Sequence, residues 1–119
     1  MTTLGDPLPS PIDDLERDIA ILFGWNNICW KDGQYMGWPF ETGIIIPVPH
    51  YSNSILLEET MAVLNLKGFT EIDFEYRNPD IHCIFRSQHG GIYRGKPCAS
   101  YSLALAHTLV EWATHYELL

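Results

Sequence analysis

Residues 90–96, Gly-Gly-Ile-Tyr-Arg-Gly-Lys, fit the G-x-x-x-x-G-K spacing that wraps phosphates in backbone N–H groups. Two features argue against nucleotide hydrolysis. Pro97 stands where a Ser or Thr hydroxyl would reach magnesium, and no helix follows directly to aim its positive end at an anion. A weaker chemistry remains, because Arg86, Arg94 and Lys96 lie close to these glycines and could grip a phosphate or carboxylate. The plainer reading is a hairpin loop with solvated charges.

His107, Glu111 and His115 follow one another at one-turn spacing, which could chelate a metal. They fall opposite the apolar face of their helix, where an ion would lack an enclosing shell, so no metal site is expected. His50, His82 and His89 are scattered over other segments. Nucleophilic catalysis has no signature either: there is no G-x-S-x-G, and Cys29, Cys83 and Cys98 stand in no recognisable pattern with a histidine. Cys83 belongs to the apolar side of a strand, where a thiol behaves as a small hydrophobe. The adjacent acids Asp13-Asp14 and Glu58-Glu59 project about 100° apart on a helix and make no acid/base pair. Glu71, Asp73 and Glu75 do share one strand face, either as the wet side of a sheet or as an acidic strip for a basic partner. No catalytic residue, no metal and no cofactor is therefore expected.

The totals narrow the partners. With 15 Asp and Glu against 7 Lys and Arg, the chain carries a formal charge of −8 and cannot neutralise a run of phosphates, which argues against nucleic acid. No apolar run approaches the roughly 18 residues of a membrane span. Asp6, Asp13 and Asp14 occupy the region where a signal peptide would be basic and then apolar. Three cysteines without a C-x-x-C pair suit reducing conditions, so the cytoplasm is the expected location. The 119 residues read as a Pro/Gly lead-in (1–9) and one domain (10–119).

The elements that must carry these residues follow from periodicity. Ser10-Pro11 caps a helix over about 11–23, with Ile12, Leu15, Ile19, Leu22 and Phe23 at helical spacing and Gly24 as its stop. Asp32-Gly33 is a type I′ hairpin signal that sets Trp30 opposite Tyr35 and Cys29 opposite Met36. Trp25, Trp30, Tyr35, Trp38 and Phe40 crowd this segment, either covering a core or forming a recognition surface. Ile44-Ile45-Ile46 before Pro47-Val48-Pro49 is a short extended piece that the prolines bar from a sheet centre.

A second helix is expected from Ser52 or Asn53 to Gly68, more buried than the first, with Tyr51 stapled onto Leu56. Period-two alternation then places Ile72, Phe74 and Tyr76 on one side of a strand. Residues 77–80 turn the chain into a strand over 81–86 with Ile81, Cys83 and Phe85 on one face, and 92–94 add a short third strand. The last helix runs from about Ser100 to Tyr116, its apolar face built of Leu103, Leu105, Ala106, Leu109, Val110, Trp112, Ala113 and Tyr116.

Phe23-Gly24-Trp25, then Pro47-Val48-Pro49-His50-Tyr51-Ser52, Lys67-Gly68-Phe69 and Ala99-Ser100-Tyr101-Ser102-Leu103-Ala104-Leu105-Ala106 follow in an order that resembles the phage ABA sandwich domain. The likeness spans most of residues 11–113 and lies in structural punctuation. It implies an α+β fold, an α/β/α sandwich of three helices and a small, mainly antiparallel sheet, without family catalytic residues. Segment 28–46 is richer in aromatics than that pattern, and the acidic strand face is unlike a sheet wholly covered by helices.

The expected function is non-enzymatic: a small phage or prophage accessory protein that binds or sequesters a host component, as in counter-defence. One alternative is a nucleotide-like small-ligand binder using Trp30, Tyr35, Trp38 or Tyr93 to stack and Arg94 and Lys96 for phosphate. Another is an acidic mimic of nucleic acid that inhibits a protein through Glu71, Asp73 and Glu75. The partner is thus a host protein or small ligand, and self-association is left open.

Overall fold

A computed structural model of the chain describes residues 8–39 and 43–119. Phe40 and most of the 1–9 lead-in lie outside the described residues. Three helices and two three-stranded antiparallel sheets make an α+β fold among the described residues, with the strands divided between two sheets rather than gathered in one. The chain falls into two compact units, Met1–His50 and Tyr51–Leu119.

In the first unit, helix α1 (Pro11–Leu22) begins as its sequence dictates. The Ser10 hydroxyl accepts from Asp13 N–H while the Asp13 carboxylate accepts from Ser10 N–H, a reciprocal box that satisfies two otherwise orphaned donors. Leu15, Ile19 and Ala20 are buried, whereas Ile12 is exposed although it falls on the apolar stripe. Strands β1 (Asn26–Lys31) and β2 (Gln34–Trp38) pair in the expected register, Trp30 opposite Tyr35 and Cys29 opposite Met36. Asp32 and Gly33 both adopt positive φ, the conformation that a type I′ turn requires. Gly37 is needed for packing, since a Cβ there would sit 2.9 Å from Ile28 Cγ1 and 3.3 Å from the buried Trp25 ring. Strand β3 (Ile46–Pro47) lies at the sheet edge beside β2, where a missing N–H is tolerated.

The second unit opens differently from the sequence expectation. Residues 51–54 form a turn closed by Ser54 N–H to Tyr51 O, Ser52 is buried, and helix α2 starts only at Leu57 (Leu57–Asn65). Its N-cap, Leu56, supplies no side-chain hydrogen bond. Ser and Asn favour turns for the same reason that they favour caps, namely side chains that compete for nearby backbone groups, and here the turn prevails. The helix is also less buried than expected: Thr60, Val63 and Leu64 point inward while Leu56, Leu57 and Leu66 are exposed. The Tyr51 staple accordingly has no helix start at 52 or 53 to fasten.

Strands β4 (Phe69–Arg77), β5 (Asp80–Ser87) and β6 (Ile92–Arg94) form the second sheet in sequential order. Register places Ile72, Phe74 and Tyr76 opposite Phe85, Cys83 and Ile81, so all six share one face. A bulge between Phe69 and Glu71 resets the alternation, and the Phe69 ring meets Trp112 edge-on at 6.0 Å. Helix α3 (Tyr101–His115), capped by Ser100, lays Leu105, Leu109 and Trp112 into this core, and Trp112 also meets Phe85 at 6.1 Å. Gly95 permits the closest approach: a Cβ there would fall 1.8 Å from Thr108 Oγ1. No helix among the described residues is long and apolar enough to cross a membrane.

Candidate functional site

In the second unit the sequence-derived cations and acids turn out to be partners. Asp73 and Glu75 project from the sheet face opposite Phe74, and so do Arg86 and Arg94. Arg86 Nε donates to Asp73. Arg94 clamps Glu75 through both guanidinium nitrogens, at 2.8 and 3.0 Å, and Arg77 joins the same carboxylate. The Arg94 hydrogen bonds, helped by the Arg77 charge, hold the Glu75 carboxyl down at about 2. Glu71 faces Arg86 in register. The acidic strip and the cationic patch are thus one mutually neutralised surface.

Lys96 reaches Glu111 at 3.9 Å, and Tyr93 packs against His115 with ring centroids 5.9 Å apart. Strand β6 and its flanks therefore cover part of the helix face expected to be fully solvated. Burial, followed by the Lys96 charge, lowers the His107 pKa. Burial pushes the Cys83 thiol up to about 12 and raises Cys98 as well, leaving neither as a ready thiolate. His82 Nδ1 donates to Gly95 O at 3.0 Å. No group of three or more His, Cys, Asp or Glu among the described residues is arranged to hold a metal ion.

Within the first unit, Tyr35 donates to Asp14 at 2.8 Å and accepts from Arg17 at 3.1 Å. Burial and the Asp14 hydrogen bond raise its phenol pKa. Trp30 meets Tyr35 edge-on at 4.9 Å. Trp38 lies on the other side of β2 by alternation, its indole N–H buried without a hydrogen-bond partner among the described residues. Trp30 and Tyr35 are brought together, while Trp38 is not. His50 Nδ1 approaches the buried Glu16 carboxylate at 3.3 Å, beside a cavity of about 30 Å³ that has room for a water molecule but not a substrate.

The larger concavity belongs to the second unit. Ser54, Ile55 and Leu57 from the turn and the start of α2, Phe74 from β4, and Tyr101, Ser102 and Leu105 from α3 line a groove of about 250 Å³. Phe74 and Tyr101 close one wall as an edge-to-face pair 5.2 Å apart. Leu57 is 55% exposed and Tyr101 53% exposed. This lining can seat an apolar group and carries three hydroxyls, those of Ser54, Tyr101 and Ser102, but it contains no carboxylate, imidazole or thiol for proton or nucleophile chemistry. Sequence reasoning missed this site. Its available signals were the Leu56-Leu57 pair beside a turn and Tyr101 standing one turn before Leu105 at the edge of the apolar face of its helix.

The chain matches no family model, no curated protein and no solved structure.

Proposed function

We propose that this protein acts by binding rather than by turnover, as a phage- or prophage-type accessory protein of the cytoplasm. It engages a host component through the groove between the starts of α2 and α3. The observation that carries this reading is the groove itself: apolar and aromatic walls, three hydroxyls, and large side chains left open to solvent. An exposed apolar concavity of this kind marks a contact surface more often than plain solvated surface. The phage association rests on the order of structural motifs from Phe23-Gly24-Trp25 to Ala99-Ser100-Tyr101-Ser102.

The two alternatives draw less support. A nucleotide grip would need Arg94 and Lys96 for phosphate, and these are engaged by Glu75 and Glu111. A nucleic-acid mimic would need uncompensated Asp73 and Glu75, and both are paired with arginines. The test is affinity capture from host cells with the wild-type chain and a Leu57→Ser/Tyr101→Ser variant, followed by rebuilding the complex from purified components. A partner whose affinity drops about tenfold or more in the variant supports the reading. Binding indifferent to both substitutions overturns it.

A further inference from the structure

Resting on that reading, we infer that the groove receives a basic segment of a partner protein, a large apolar side chain flanked by Lys or Arg. The argument is charge segregation. Glu58 and Glu59 follow Leu57 on α2, are exposed, and make no ion pair among the described residues. Every cation of this unit is occupied elsewhere. Arg77, Arg86 and Arg94 pair with Glu75 and Asp73, acids on the sheet face opposite Phe74. Lys96 pairs with Glu111, and Lys67 stands over the Tyr116 ring at 5.9 Å. At 1.5 Å per residue, Glu111 and Tyr116 lie about 15 and 22 Å along the helix from Tyr101.

The groove therefore has an apolar floor and, on the first turn of α2 beside it, two exposed carboxylates, Glu58 about 100° and Glu59 about 160° around the helix from Leu57, with no cation of this unit paired to either among the described residues. A net charge of −8 disfavours a second copy as the occupant and attracts a basic one. Its volume of about 250 Å³ suits one large side chain better than a drug-sized ligand, for which pockets run roughly 300–1,000 Å³.

A random peptide library displayed on beads, selected on the wild-type protein and counter-selected on Leu57→Ser, tests this directly. Leu57 is more than half exposed, and a thermal melt checks that the variant is folded. The expected winners carry a large apolar residue between Lys or Arg. In fluorescence anisotropy, a selected peptide should bind Glu58→Gln/Glu59→Gln about tenfold more weakly at low salt. That gap should close as salt is raised to about 0.5 M. Neutral or acidic winners that still need Leu57 sink the basic class while leaving the groove as a binding surface. A selection yielding no peptide that depends on Leu57 overturns the inference, and a host partner insensitive to Leu57→Ser overturns the groove reading beneath it. A dimer abolished by Leu57→Ser in sedimentation assigns the groove to a second copy and overturns the inference too.

Discussion

The two faces of the β4–β5–β6 sheet are made by the same strands and do opposite work. On one, Ile81, Cys83 and Phe85 pack under α3 with Phe69 and Trp112, sealed from water. On the other, arginines and carboxylates neutralise one another in partly solvated pairs. Apolar area removed from water dominates folding energetics, while exposed ion pairs contribute little. Stability should therefore reside mainly on the α3 face, with buried Ile84 the apolar contribution of the paired one. Function should concentrate where that face runs out of cover, beside Phe74 and Tyr101.

The most damaging single change on the sealed face should be Trp112→Ala. The indole is fully buried and meets Phe69, Phe85 and Tyr116 at centroid distances of 5.5–6.1 Å. A loss of about 3–5 kcal/mol is expected in urea unfolding. A smaller loss would mean that the neighbouring rings collapse into the vacated volume. Gly95→Ala comes next, because the new methyl would overlap the Thr108 hydroxyl, 1.8 Å away in the present geometry. Overpacking of this kind costs about 1–3 kcal/mol, and an unchanged unfolding midpoint would show that β6 can shift away from α3.

The paired face should respond to pH rather than to packing. Glu75 titrates at about 2 in the folded chain, against an ordinary 4.5, chiefly because of Arg94. A depressed carboxyl pKa stabilises the folded state fully above about 4.5 and loses that contribution as the pH falls toward 2. Arg94→Gln should therefore make the acid-induced fall in Tm across this window shallower, with a remnant because Arg77 still reaches Glu75. Equal slopes for wild type and variant would show that solvent screens the pair completely.

How much of the second sheet was legible depended on the range of the signal. Alternation in Glu71–Tyr76 fixed which residues share a face, and Asp32-Gly33 fixed the register of the first hairpin, because both patterns are local. Ser10-Pro11 and Ser100 likewise set their helix starts through residues three positions away. The cap at Ser52 or Asn53 failed because the same local chemistry serves a turn, and burial of Ser52 lies beyond sequence reach. The Arg86–Asp73 and Arg94–Glu75 pairs join residues 13 and 19 positions apart. Carrying the alternation into β5 would have placed Arg86 on the acidic face, so that pairing was within reach of the pattern. The groove was not, since three separate elements build it and only their packing brings Leu57, Phe74 and Tyr101 together.

The least disruptive substitution should be the most informative about function. Leu57 sits at the first position of α2, more than half in water, so Leu57→Ser removes little buried area. Its unfolding free energy should stay within about 0.5 kcal/mol of wild type, the ordinary range for surface positions. A leucine more than half exposed beside a phenylalanine and a tyrosine should add to the fold little that serine would forfeit. If Leu57→Ser instead destabilised the chain as a core truncation does, the side chain would be bearing on the fold itself. The groove would then be part of the sealed face, and the division between a stabilising and an available apolar surface would fail.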